Sequence, residues 1–129
     1  MRNKFLGIGE PGYHPITKLR TIVAGLHYAV LSDFSVAYKV TLSVFVLAAA
    51  FVLRQWVDVL LILLATGMVL TAEILNSAIE ALCDFVEIRH NEKIKIIKDV
   101  AAAGVGISIL VWAIILVAEL ARLWDVFVA

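Results

Sequence analysis

The apolar residues of this chain fall into three long runs and one striped segment. Val100 to Ala118 holds 19 residues without a charge and is closed by Glu119. A helix needs about 20 apolar residues to cross the hydrocarbon of a bilayer, so this run predicts a transmembrane helix over 96–121. Val40 to Leu53 is an uncharged run of 14 that extends back to Phe34 with only Lys39 interrupting. It predicts a span over 34–53, with the Lys39 ammonium snorkelling toward the headgroups. Val59 to Ala72 is again 14 uncharged residues, and no Gly or Pro stops it before Glu73-Ile74-Leu75-Asn76-Ser77-Ala78-Ile79-Glu80. One long helix over 57–86 is expected. At about 1.5 Å per residue it is about 45 Å long against a hydrocarbon core of about 30 Å. Its acidic end should therefore emerge at or beyond one membrane surface.

The remaining segments read differently. Gly7, Gly9, Pro11, Gly12 and Pro15 mark 1–15 as an irregular lead-in without the apolar core of a secretory signal. Over 16–32, Ile16, Leu19, Ile22, Val23, Leu26 and Val30 recur at spacings of three and four, with Lys18 and Arg20 off the stripe. That pattern predicts an amphipathic helix lying on the membrane surface. Arg54-Gln55-Trp56 makes a tight turn with an interfacial aromatic. Residues 87–95 form a polar, basic loop. The expected fold is all-α and integral to the membrane: a single domain over 1–129 with one surface helix, three spans and no internal repeat.

Composition agrees with a membrane class. Hydrophobic residues make up 63% and charged residues 17%, and the mean hydropathy is +1.00. An ordinary soluble domain is near half apolar and a quarter charged, and 129 residues cannot hide the excess. Eleven basic and eleven acidic residues balance, which argues against a nucleic-acid partner. The lone Cys83 excludes an intrachain disulfide framework or a cysteine zinc cluster. Arg2, Lys4, Lys18, Arg20 and Lys39 precede or begin the first span, and Arg89, Lys93, Lys95 and Lys98 follow the second. Only Arg54, in the first turn, and Arg122, in the C-terminal tail, lie elsewhere. The positive-inside rule then places the N-terminus and the second loop in the cytoplasm.

The candidate chemistry lies at the acidic end of the long helix. Glu73, Glu80 and Asp84 fall at i, i+7 and i+11, the latter two within roughly 20° of Glu73 on either side around the axis. Asn76 and Ser77 flank them. Three carboxylates on one face repel, and a carboxylate at a membrane needs a partner. A divalent cation or a basic segment would supply it; Mg²⁺ takes one or two carboxylates plus phosphate oxygens. The plainer alternative is a wetted helix end paired with the Lys-rich loop. Glu73 fits that alternative least, because it borders the apolar run, and it suits a general base. The second cluster is Lys95-Ile96-Ile97-Lys98-Asp99. Lys98 offers a point charge to a phosphate, or simply anchors the helix at the cytoplasmic edge; Asp99 suits a helix cap. There is no P-loop.

These residues resemble a known family. Glu73-Ile-Leu-Asn76-Ser77-Ala-Ile-Glu80-Ala-Leu-Cys-Asp84, followed by Lys98-Asp99, is similar to the signature of the small prokaryotic diacylglycerol kinases and their undecaprenol kinase relatives. The resemblance covers most of the chain, in the order of spans as well as motifs. It implies a homotrimeric inner-membrane lipid kinase using ATP and Mg²⁺, with sites at the cytoplasmic surface shared between subunits. By motif, Glu73 matches the general base acting on the lipid hydroxyl, with Ser77 beside it on the substrate. Glu80 matches a metal ligand that also meets the nucleotide, and Asn76 a site residue next to it. Lys98 and Asp99 match nucleotide contacts, as does the stretch Arg89-His90-Asn91. Asp33 stands where the family often has a Glu as second metal and nucleotide ligand. Val36-Ala37 stand where Phe-Arg is frequent, followed by Lys39. For the N-terminal basic nucleotide contact the candidates are Arg20, then Lys18, then His14.

The resemblance implies diacylglycerol as substrate, with undecaprenol as the alternative. A rival of another class is a small non-enzymatic membrane oligomer. A conducting protein would carry polar groups along a path through the membrane; here they gather at one end, and within the third span only Ser108 is markedly polar. The small residues Ala101, Ala102, Ala103, Gly104 and Gly106 allow close helix approach and support an oligomer. The number three comes from the resemblance alone.

Overall fold

The structure is a computed structural model that describes residue 12 and residues 14–129. The lead-in read over 1–15 lies mostly outside the described residues. Four helices follow: α1 (Pro15–Ser32), α2 (Phe34–Val52), α3 (Trp56–Val86) and α4 (Glu92–Val128). Three of them are long and apolar enough to cross a membrane. The described chain divides into two compact units, up to Phe34 and from Ser35 onward.

In the N-terminal unit, α1 starts with Pro15 at its first helical position. A proline's missing N–H and fixed φ suit that place. The helix ends where the Asp33 N–H closes onto the Ala29 carbonyl at 3.0 Å. Nothing in α1 is buried; its stripe residues Ile16, Leu19, Ile22, Val23 and Leu26 are all exposed.

The second unit is an antiparallel three-helix array. α2 and α3 are joined by a turn built around Arg54, whose φ is +56°. The Gln55 N–H bonds to the Ala50 carbonyl at 2.9 Å and the Arg54 N–H to the Phe51 carbonyl at 3.1 Å. This is a Schellman closure, usually made by glycine. Trp56 meets Phe51 edge-on at 5.4 Å. The third span, read as 96–121, is part of a longer helix that starts at Glu92 and ends at Val128. Asn91 caps it, its Oδ1 accepting from the N–H groups of Lys93 at 2.9 Å and Ile94 at 3.3 Å. Asp99 is therefore helix interior and not a cap. Arg122, read as tail, lies within the last turns of α4.

Val46, Ala50, Ile62, Ala65, Val69, Trp112, Leu116 and Leu123 form one apolar core across the three helices. Lipid tails are as apolar as these side chains, so close packing and interhelical hydrogen bonds hold such an array. Ala50 and Val69 are fully buried and Ala65 nearly so. Trp112 Nε1 donates to Ser43 Oγ at 3.0 Å across α4 and α2.

Candidate active site

Glu73 lies in the middle of α3, and only 5% of it is exposed. Its partner is Lys39, which is fully buried. The Lys39 Nζ meets Glu73 Oε1 at 2.5 Å. The same ammonium donates to Ser35 Oγ at 2.5 Å and to the Ser35 carbonyl at 3.3 Å. Ser35 Oγ donates to Glu73 Oε1 at 2.9 Å. The expectation that Lys39 snorkels to the headgroups is thus overturned. An internal carboxylate offers the ammonium a better partner than the interface, and each removes the other's uncompensated charge.

The other acidic-face residues differ in environment. Asp84 is exposed and ion-paired to Lys98 of α4. Glu80, seven residues beyond Glu73 and about 10 Å away along the axis, is exposed. Its neighbour is neutral: Asn76 Nδ2 donates to Glu80 Oε1 at 3.1 Å. The Asn76 Oδ1 is buried with no hydrogen-bond partner among the described residues. Repulsion along the face is therefore relieved by one lysine at each end. The central carboxylate has no cation in ion-pair contact among the described residues. A buried orphan carbonyl beside an exposed carboxylate is an oxygen donor set that fits a hard divalent cation. No group of three or more His, Cys, Asp or Glu side chains able to hold a metal occurs among the described residues, so any such site needs amide, phosphate or water oxygens as well.

Past Asp84, the α3–α4 connection folds around a polar cavity of about 230 Å³. Asp84, Arg89, Asn91, Lys95, Lys98 and Asp99 line it together with loop residues. Four candidates for nucleotide contact, Arg89, Asn91, Lys98 and Asp99, meet here. Each cation in the cavity has an acid partner: Arg89 with Glu87 at 3.0 Å, Lys95 with Asp99 at 2.8 Å, and Lys98 with Asp84. The Arg89 guanidinium and backbone N–H hold the Glu87 carboxyl below its usual range, and Glu87 holds Arg89 above its own. His90 Nε2 lies 2.7 Å from Glu92 Oε1. Asp33, Arg20, Lys18 and His14 belong to the N-terminal unit. Ser77, one turn beyond Glu73, is half-buried.

A family model described as prokaryotic diacylglycerol kinase matches residues 20–120, well over half of the chain. The chain belongs to this prokaryotic diacylglycerol kinase family. The matched stretch contains Glu73, Asn76, Glu80 and the cavity residues, and also Arg20 and Asp33; it leaves out His14 and Lys18. No curated protein matches the chain, and neither does any solved structure. Family membership points to a diacylglycerol kinase-like lipid kinase carried on membrane helices.

The opposite end of the second unit holds a polar cluster that the sequence reading missed. Asp58 of α3 is 2% exposed, and Arg122 Nε reaches both of its oxygens at 2.8 and 3.0 Å. Arg122 Nη2 extends to Gln55 Oε1 at 3.4 Å. Glu119 is buried against Asp58, and its Oε2 has no hydrogen-bond partner among the described residues. The signal was available: three ionisable residues at the ends of antiparallel spans each require a partner.

Proposed function

We propose that this chain transfers the γ-phosphate of ATP to the primary hydroxyl of diacylglycerol, giving phosphatidic acid. The observation that carries the reading is a single line of chemistry along α3: a buried carboxylate at Glu73, an unneutralised oxygen pair at Glu80 and Asn76, and a polar cavity beyond Asp84. Along the helix axis, Glu73 to Asp84 spans about 16 Å at about 1.5 Å per residue. The cavity is smaller than the roughly 300–1,000 Å³ of a whole-ligand pocket. It suits part of a nucleotide, with the terminal phosphate directed along the face toward Glu80 and Glu73.

Glu80 and Asn76 would hold Mg²⁺, which when bound neutralises phosphate charge. Lys98 and Arg89 release their carboxylates and take phosphate oxygens; Asn91 and Asp99 complete the nucleotide contacts. Glu73, with Ser77 nearby, meets the lipid hydroxyl. The bond from the γ-phosphorus to the bridging oxygen breaks and a bond to the hydroxyl oxygen forms. The hydroxyl proton passes to Glu73, and ADP leaves. Positioning and charge neutralisation are the chief demands of phosphoryl transfer.

The working form in this reading is a homotrimer in the inner membrane, with the N-terminus and the α3–α4 loop in the cytoplasm. The exposed apolar stripe of α1 suits a helix lying on that surface. In the single chain, a Cβ added at Gly104 or Gly106 meets no other atom within 4 Å, which leaves α4 open to close approach by a second copy.

The test offers diacylglycerol and undecaprenol to one purified preparation with ATP and Mg²⁺. Phosphorylation of diacylglycerol is expected. Phosphorylation of undecaprenol alone would replace the substrate, and phosphorylation of neither would remove the kinase reading. Glu73→Gln should still assemble but lose about 100-fold or more in turnover, the usual scale of general-base catalysis. Unchanged turnover would remove Glu73 as the base.

A further inference from the structure

Lys39 has no role in the reaction described so far, yet it is the group in closest contact with Glu73. We infer that Lys39 is a positioning residue for the transfer: it keeps the buried Glu73 as a carboxylate and immobilises Oε1, so that Oε2 faces the acceptor hydroxyl. This rests on the reading of Glu73 as general base.

An ammonium has three protons to donate. Those of Lys39 are taken by Glu73 Oε1, Ser35 Oγ and the Ser35 carbonyl. The Tyr38 ring covers it further, with its centroid 4.4 Å from Nζ. Lys39 is thus fully occupied and 0% exposed, and it cannot reach the headgroups or a nucleotide without abandoning Glu73. Both of these contacts to the Glu73 side chain, from Lys39 and from Ser35, fall on Oε1. An oxygen fixed by two donors is a poor acceptor for a third proton, which leaves Oε2 as the basic one.

A carboxylate this buried has two stable states, ion-paired or protonated. Only the first can accept a proton from an alcohol. Among the described residues, the charged or titratable groups acting on Lys39 are Tyr38 of α2 and Glu73 of α3. Ser35 adds a neutral hydroxyl. Removing the ammonium takes from Glu73 its ion-pair contact among the described residues, and an unpaired carboxylate at this depth carries a large desolvation cost.

The test uses the full chain in mixed micelles and compares Lys39→Met, Lys39→Arg, Ser35→Ala and Glu73→Gln. Lys39→Met keeps the length of the stem and removes the charge. Its kcat should fall by about 100-fold or more, as for loss of a general base, with the KM for ATP little changed. Part of the rate should return at alkaline pH. Lys39→Arg restores the charge with a different fork and should recover part of kcat. Ser35→Ala, which removes one donor but no charge, should lose less than Lys39→Met. A second readout is independent of turnover. A lipid-soluble carbodiimide adds to protonated carboxyls, and the product at Glu73 is read by mass spectrometry. Labelling at neutral pH should be slow in the wild type, fast in Lys39→Met and absent at this position in Glu73→Gln. Wild-type kcat in Lys39→Met beside an inactive Glu73→Gln would overturn the inference while leaving Glu73 as base. Full turnover in Glu73→Gln would overturn both. Unchanged labelling in Lys39→Met would overturn the claim that the ammonium sets the charge of Glu73.

Discussion

Replacing Arg122 by Ala should unfasten the end of the bundle farthest from the chemistry. Asp58 is 2% exposed, and Arg122 Nε supplies hydrogen bonds to both of its oxygens at 2.8 and 3.0 Å. Breaking a buried ion pair by deleting one partner costs about 3–5 kcal/mol, because a charge is left behind. That figure is too large here. The Arg122 side chain is 56% exposed, so water already screens half of the pair. Two charge-assisted hydrogen bonds, each discounted for exposure, leave about 1–3 kcal/mol. The assay is reversible unfolding in mixed micelles, followed by circular dichroism as the denaturing detergent fraction rises. Asp58→Asn combined with Arg122→Ala should recover much of the loss, since the Asp58 carboxylate is no longer left without its cation. The double-mutant cycle then isolates the pair. Asp58 lies 15 residues before Glu73, about 22 Å along the helix, so the folded variant should keep its turnover. A single variant as stable as the wild type, or a double variant worse than Arg122→Ala, would refute the argument.

Other consequences follow from the same structure. Arg54→Gly should stabilise the α2–α3 turn by up to about 1 kcal/mol, since the left-handed C′ position penalises a side chain; the same unfolding assay reads it. Asn91→Ala removes the cap of α4 and should cost about 1 kcal/mol, with faster amide exchange confined to the residues just after 91. Trp112→Phe deletes the buried bond to Ser43 and should cost about 0.6–1.7 kcal/mol, the range found for hydrogen bonds between membrane helices. Glu87 is held below the ordinary carboxylate range by Arg89. Its pairing is therefore intact above that range and is lost as pH falls through the lowered value. An NMR titration of Glu87 should show the depressed midpoint, and Arg89→Ala should raise it.

The helices were legible because the bilayer imposes a length on apolar runs. Phe34–Val52 and Trp56–Val86 could be read within a residue of their ends from where charge and turn residues stop the run. α4 was read too short because Lys93, Lys95 and Arg122 look like loop and tail on hydropathy alone. Asn91 shows the true start, since only a cap leaves an amide oxygen facing the N–H groups of the next turn. The acidic face was legible too, from the 3.6-residue period that aligns Glu73, Glu80 and Asp84. Pairing of its outer end with the Lys-rich segment was among the readings, and Asp84 meets Lys98 there; the partner of Glu73 was not. Lys39 is 34 residues from Glu73, and a lone lysine in a span looks like an anchor until the second helix is folded against it. Asp58 and Arg122 are 64 residues apart; each needs a partner at the end of its span, but nothing local says which. Periodicity orders the residues along one helix, whereas pairing between helices depends on a rotation of each about its axis that packing alone decides.

Pairing also explains why one carboxylate of the acidic face stands out chemically. Glu73 is occupied by Lys39 and Asp84 by Lys98, so neither is free to take a second cation without releasing the first. Glu80 has no ion-pair contact among the described residues; it accepts from the neutral amide of Asn76, whose own oxygen is buried without a partner there, and Lys98 acts on it only at longer range. The cavity cations are in the opposite position: Arg89, Lys95 and Lys98 each already hold a carboxylate. An anion entering alone would have to displace those carboxylates and leave them uncompensated. An anion arriving together with a divalent cation lets the carboxylates change partner while the lysines turn to phosphate, and the total charge stays near zero. In the proposed reaction this arrangement favours a metal–nucleotide complex over either component and leaves Glu73, already neutralised by Lys39, as the carboxylate reserved for the proton.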